Sequence, residues 1–139
     1  DGIVNSKVTG ANYADDLGKN LEVSSDYFYT ATNNYFDNIS SSENIRPEGN
    51  YFTESSYNST GNQDKHEINT HIKLAIDSSW MIDARPKFSY DKNFSRGSST
   101  SESRKENGDL RNTSTASNYG ITESTNFSTG LATKNWTNS

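Results

Sequence analysis

The 139-residue chain contains no cysteine and only two prolines, Pro47 and Pro86. Without cysteine it can form neither a disulfide framework nor a thiolate metal site. It also has no apolar run near the roughly 18 residues that a membrane-spanning helix needs. No signal peptide opens the sequence, and its first residues resemble the start of an excised segment.

Apolar residues are scarce as well. They make up 29% of the chain, and the mean hydropathy of −0.99 lies far below that of ordinary globular proteins. A conventional closed core is therefore not expected. Charged residues are 22% and the net charge is −5, so most of the polarity comes from neutral Ser, Thr, Asn and Gly. Disorder usually requires a high net charge, and nucleic-acid binding requires a basic stripe that this chain lacks.

Aromatic residues, by contrast, are abundant. Eight tyrosines, six phenylalanines and two tryptophans make 12% of the chain, a proportion typical of long strands. No window of useful length shows the apolar spacing of a helix. Turn-forming stretches divide the sequence at DDLGKN, NIRPEGN, DSS and KENGD. We therefore predict an all-β antiparallel meander of five long strands, at about residues 3–14, 21–43, 51–76, 80–104 and 110–136.

The clearest alternation lies in HEINTHIKLAIDSSWMIDARPKFSY, residues 66–90. If Asp77-Ser78-Ser79 is a three-residue hairpin loop, Ile76 faces Trp80 and other apolar pairs follow on the same surface. The same register puts Lys73 opposite Asp83 on the other surface. Because a slip by one residue would separate all of these pairs, the pattern predicts one register. It does not settle the register near Pro86, which lacks a ladder donor and is compatible with a bulge or an edge.

Apolar side chains cluster beside the DDLGKN and DSS turns, which belong to the same edge of a meander. They define a band about ten residues deep, close to the 9 to 11 residues with which a strand crosses a membrane. The predicted lipid-facing or self-association stripe consists of Leu21, Val23, Tyr27, Tyr29, Ile68, Ile72, Leu74, Ile76, Trp80, Ile82, Phe88 and Tyr90. The opposite surface is predicted to be lumen-facing, with the charged residues Glu67, Lys73, Asp83, Arg85 and Lys87.

One face of a soluble sandwich would show the same alternation. Two features favour the barrel: the strands continue into long stretches of Ser, Thr and Asn, and the opposite face carries charge instead of core residues. A charged position is also compatible with a solvated face held by weak ion pairs.

No catalytic, cofactor or metal site is predicted, so the chain is not expected to be an enzyme. His66 and His71 are five residues apart and lie on opposite faces of a strand, which disfavours shared metal binding. Asp15 and Asp16 belong to a turn and have no apolar wall that would raise a pKa. No G-x-S-x-G motif marks a nucleophilic serine.

Residues 2–34, including GANYADDLGKNLEV and SSDYFYT, together with residues 45–93, including the strand that enters DSSW, resemble a known barrel region. The order of these patterns is similar to the middle of the β-barrel in TonB-dependent outer-membrane receptors, in the bacterial outer-membrane β-barrel family. The resemblance implies a plug-filled barrel in the bacterial outer membrane that takes up a solute with energy from the TonB system. It does not identify the transported substrate.

The chain shows no plug, no TonB-contacting segment and no terminal strand ending in an aromatic residue. Since the smallest such barrels use about 8 strands, five strands cannot close. We therefore expect residues 1–139 to be a single barrel segment, not active in isolation, whose partners are outer-membrane lipid, the remaining barrel and the plug. In water it is expected to self-associate through its edges or its apolar stripe.

The alternative function is a soluble β-sheet adhesin or carbohydrate-binding module. Such a module would gather Tyr27, Trp80 and Phe88 in a concave pocket with polar partners.

Overall fold

A computed structural model describes residues 1–136. It contains five strands, in the order β1 (Gly2–Asp16), β2 (Leu21–Asn44), β3 (Tyr51–Ala75), β4 (Trp80–Lys105) and β5 (Leu110–Asn135). They form one sheet in which each strand pairs with its neighbours in sequence, so β1 and β5 are the edge strands. The predicted antiparallel meander is confirmed, with every strand end within two residues of its expected position. Across the described residues, no helix is present that could span a membrane.

The turns explain why the strands end where they do. Gly18 and Gly108 have φ angles of 86° and 88°, a region that residues with a Cβ rarely adopt. In the DSS turn, the Asp77 carboxylate accepts hydrogen bonds from the backbone N–H groups of Ser79 and Trp80, at 2.7 and 2.8 Å. An Asp side chain that binds the backbone two residues ahead is a common turn device. Local chemistry therefore sets these chain reversals.

The sheet has no closed core. Within residues 1–136, no apolar side chain is buried, and Gly97 is the single residue with so little exposure. A sheet needs a second layer to cover its apolar face. The expected absence of a conventional core is confirmed, so backbone ladders and same-face side-chain pairs hold the described chain together.

The chain forms two compact units, and each strand contributes residues to both. Unit 1 consists of Asp1–Ser6, Thr32–Gln63 and Asn93–Thr122. Unit 2 consists of Lys7–Ala31, Asp64–Lys92 and the segment that begins at Glu123. The side chains that hold the two units together differ in kind.

In unit 2, backbone hydrogen bonds fix the register of the DSS hairpin. The Ile76 N–H donates to the Trp80 carbonyl at 2.9 Å, which is the predicted pairing. Continuing this register puts Pro86 opposite Thr70, where proline supplies no N–H to the ladder. Pro86 lies within β4, between β3 and β5, so it does not mark an edge strand.

Unit 1 is held by hydroxyl pairs and aromatic pairs. Thr53 pairs with Ser103 at 3.0 Å, and Ser55 with Ser101 at 3.1 Å, in one continuous register between β3 and β4. The ring of Phe36 lies 6.1 Å from that of Tyr57, and the rings of Phe94 and Tyr119 meet edge to face at 5.3 Å. These contacts cross neighbouring strands on the same face of each pair.

Candidate functional site

The two faces of unit 2 are defined by side-chain contacts. On one face, Tyr27 of β2 contacts His66 of β3, which lies near Tyr90 of β4. Side chains alternate between faces along a strand. All twelve residues of the predicted stripe stand at an even number of positions from Tyr27, His66 or Tyr90 on the same strand or its adjoining turn, so they belong to the same face. We call it the apolar face. Leu21 through Tyr29 come from β2, Ile68 through Ile76 from β3 and the turn after it, and Trp80 through Tyr90 from β4.

The apolar face also includes residues outside the predicted stripe. An ion pair of 2.9 Å between Lys92 and Glu123 assigns the odd positions of β5 to this face. Phe127 and Leu131 therefore belong to it, and each is 70% exposed. Their signal in the sequence is two apolar residues four positions apart, separated by small polar ones. With them the apolar face extends to the β5 edge.

At one border of the apolar face, polar groups surround an aromatic cluster. The Tyr27 hydroxyl lies 2.8 Å from Nδ1 of His66, and the Tyr29 hydroxyl donates to Asp64 at 2.8 Å. The Tyr29 and His66 rings are 4.8 Å apart. With Tyr90, Lys92 and Thr9, these residues line a shallow groove of about 570 Å³. Trp80 and Phe88 are not among its lining residues.

Lys92 adds a fixed charge at this border. The hydrogen bond to Glu123 raises the pKa of Lys92 above its ordinary value, because the carboxylate stabilises the ammonium form. The group therefore stays charged throughout the physiological range. A charged pair beside tyrosine hydroxyls marks the point at which the apolar face gives way to polar surface.

The opposite face of unit 2, which we call the charged face, carries several ion pairs. Asp83 accepts from Nε2 of His71 at 2.8 Å and from Nε of Arg85 at 3.0 Å. Lys73 pairs with Glu22 of β2 at 3.8 Å. Glu67 pairs with Lys65 on the same strand, at 2.9 Å. Lys87 has the same alternation as Arg85 on β4.

Lys73 lies opposite Asp83 in the observed DSS register, as predicted, but the two do not form an ion pair. The Lys73 ammonium group is bound by Glu22 instead. The DSS register is as predicted, so the difference arises from side-chain reach. His71 and Arg85 already bind the two carboxylate oxygens of Asp83. The long side chain of Lys73 turns toward β2 instead. A pattern within one hairpin does not reveal competition from a third strand.

His66 and His71 lie on opposite faces of unit 2, as their spacing predicted: His66 contacts Tyr27, and His71 contacts Asp83. Through residues 1–136, no group of three or more His, Cys, Asp or Glu side chains is arranged to hold a metal ion.

Comparison with protein-family models found no match to this chain, and comparison with curated protein sequences found none either. The chain has the fold of an open antiparallel β-meander, and unit 2 of this sheet has one apolar and one charged face.

Proposed function

We propose that this chain forms part of the wall of a TonB-dependent receptor barrel in the bacterial outer membrane, where the assembled receptor takes up a nutrient or other solute. The observation that carries the proposal is the apolar face of unit 2. It extends over β2, β3, β4 and β5 on one side, while most of the ion pairs of unit 2 lie on the other side. A soluble sandwich would cover such a face with a second sheet, whereas a barrel wall presents it to lipid.

The depth of the apolar face supports contact with a bilayer. Along β3 and into the turn after it, the stripe extends from Ile68 to Ile76, and on β4 it extends from Trp80 to Tyr90. A tilted strand crosses the hydrocarbon layer with about 9 to 11 residues. The groove lined by Tyr27, Tyr29 and Tyr90 lies at one border of the apolar face. Aromatic residues take the same position at the membrane interface of outer-membrane barrels. In this interpretation the charged face lines the lumen, next to the plug or the passing solute.

The open edges fit the same proposal. β1 and β5 each have one side without a neighbouring strand in this sheet, and free edges are liable to pair with other strands. In the assembled receptor, further strands of the barrel would pair with them. The isolated chain is accordingly expected to self-associate and to have no transport activity.

The proposal can be tested with lipids that carry bromine on their acyl chains and quench nearby tryptophan. Trp80→Phe and Trp136→Phe remove the native tryptophans, and Leu131→Trp then reports from the apolar face. The matched control is Ala132→Trp, which alternation puts on the charged face. We expect strong quenching at 131 and weak quenching at 132 after reconstitution into vesicles. Equal quenching at both positions, or no association with vesicles, would contradict the membrane proposal.

The groove beside His66 supports a second candidate function, a carbohydrate-binding module. Its stacked rings and polar groups are of the kinds that hold a sugar ring in place. This function predicts saturable binding of soluble oligosaccharides, followed by tyrosine fluorescence and lost in Tyr29→Ala and Tyr90→Ala. Vesicle insertion without any oligosaccharide binding would favour the barrel wall, and the reverse result would favour the module.

A further inference from the structure

In unit 1, two arginines contact one tyrosine ring. Arg46, from the NIRPEGN turn, has its Cζ atom 5.3 Å from the centroid of the Tyr51 ring. Arg111, near the start of β5, has its Cζ atom 4.2 Å from the same centroid. Tyr51 is the first residue of β3, and β4 lies between β3 and β5. Arg111 therefore extends past a complete strand to reach the ring.

Backbone hydrogen bonds hold the two turns that carry this cluster. The Glu106 N–H donates to the Asn50 carbonyl at 3.2 Å and so ties the turn after β4 to the start of β3. Within the turns, Gly49 donates to Arg46 at 3.1 Å, and Gly108 donates to Lys105 at 2.9 Å. Arg46 thus projects from an anchored turn and Arg111 from the strand that follows the other turn, and their common contact with Tyr51 limits their motion.

The charges of these arginines are not neutralised by acids. In the described chain, the ion pairs involve other cations, and no carboxylate lies at ion-pair distance from Arg46 or Arg111. Arg85 and Arg104, by contrast, are paired with acids. Arg96 also forms no ion pair, but in the described chain only Arg46 and Arg111 share one aromatic ring.

The surrounding groove has room for a small ligand. It has a volume of about 410 Å³ and is also lined by Lys105, Glu48 and Glu106. Three positive and two negative side chains therefore face the space, giving it a net positive charge. The acids limit the negative charge that the groove accepts, which favours one anionic group over an extended polyanion.

We propose that Arg46, Tyr51 and Arg111 form a binding site for an oxyanion, either a carboxylate or a phosphate group. A guanidinium that rests on an aromatic ring keeps its N–H edge free to donate, and that edge matches the paired oxygens of such groups. A shared anion would also offset the repulsion between the two guanidinium groups. The ligand is a small soluble solute or a lipid headgroup, since both present this chemistry.

This inference goes beyond the proposed function and does not depend on it, because every residue involved belongs to unit 1. The experiment uses the complete chain in micelles of a neutral detergent, with the arginine side-chain N–H and tyrosine ring signals followed by NMR. Citrate and pyrophosphate serve as soluble probes, and mixed micelles that contain lipid A serve as the lipid probe. The variants are Arg46→Gln, Arg111→Gln and Tyr51→Leu.

The matched control is Arg96→Gln, since Arg96 is an exposed arginine of unit 1 outside the groove. We expect saturable shifts in the native chain, weakened about tenfold by Arg46→Gln or Arg111→Gln. Tyr51→Leu should weaken binding as well, while Arg96→Gln should leave it unchanged. Saturation by citrate or pyrophosphate identifies a soluble ligand, and saturation by lipid A alone identifies a headgroup.

Two results would overturn the site. One is the absence of saturable shifts with all the probes. The other is equal weakening by Arg96→Gln and Arg46→Gln, which would indicate attraction to overall charge. Circular dichroism of each variant tests whether the strands are retained, and Tyr51→Phe, which keeps the ring, should restore the binding that Tyr51→Leu loses.

Discussion

Units 1 and 2 are built from the same strands but use their two faces differently. In unit 2, aliphatic and aromatic residues gather on the apolar face, while the charged face carries the network around Asp83. In unit 1, aromatic residues occur on both faces. The Tyr57 hydroxyl lies beside Gly97, so Tyr57 is on the face of the odd-numbered β4 positions. Phe94 is at an even-numbered β4 position and therefore lies on the other face. In the described chain unit 2 is thus the more two-sided unit, although Phe28 has the alternation of its charged face and the Lys92–Glu123 pair lies on its apolar face.

This difference indicates two kinds of stabilisation. Unit 1 relies on hydroxyl pairs such as Thr53 with Ser103, which suit a sheet wetted on both sides. Unit 2 presents apolar side chains that contribute little free energy while they remain in contact with water. If the membrane proposal is correct, transfer to a bilayer should therefore stabilise unit 2 and leave unit 1 nearly unaffected.

The largest expected effect comes from a charge on the apolar face. Leu131→Lys in unit 2 should destabilise the chain in vesicles by about 2–4 kcal/mol if position 131 lies near the bilayer midplane. Ile39→Lys in unit 1 is the matched control, because Ile39 and Leu131 are 68% and 70% exposed. Urea titration in vesicles measures both. Similar losses at the two positions would remove the proposed distinction between the units.

Turn glycines should matter equally in the two units. Gly18→Ala and Gly108→Ala force a Cβ into the left-handed region, at a cost of roughly 1–2 kcal/mol each. Gly130→Ala is the control, because a Cβ at position 130 meets no atom within 4 Å. The free energy of unfolding of the three variants provides the comparison. A loss at Gly130 as large as at Gly18 would contradict this account of the turns.

A smaller effect is expected on the charged face. Asp83→Asn removes the carboxylate that His71 and Arg85 share, so the urea midpoint should fall. Glu22→Gln should change the midpoint less, because the Glu22–Lys73 pair is longer, at 3.8 Å, and both partners are well exposed. The reverse order of the two midpoints would show that the Asp83 network does not organise this face.

The smallest effect is expected in unit 1. Ser55→Val removes one member of the Ser55–Ser101 pair and should cost about 0.5 kcal/mol. Replacing both serines by valine should restore most of that loss, because no hydroxyl then lacks its partner. Denaturant midpoints of the single and double variants measure the coupling. A double variant that loses the sum of both single effects would indicate that the pair contributes nothing.

Much of the fold could be predicted from short-range patterns. Turn residues such as Asp77 act on the chain directly around them, and alternation along β3 and β4 assigns each side chain to a face. The DSS register followed from the same local information, since a three-residue loop pairs Ile76 with Trp80. The low apolar content also predicted the lack of a conventional core.

Contacts between strands joined by different turns were not predictable in this way. The sequence pattern paired Lys73 with Asp83, but only the tertiary structure brings Glu22 of β2 close enough to bind that lysine. It likewise gathers His66 with the tyrosines of β2 and brings Arg111 to Tyr51 across β4. The sequence by itself determined the strands, their turns and the two faces, because those depend on neighbouring residues. The tertiary structure decided the partners of long side chains, because several strands compete for them at once.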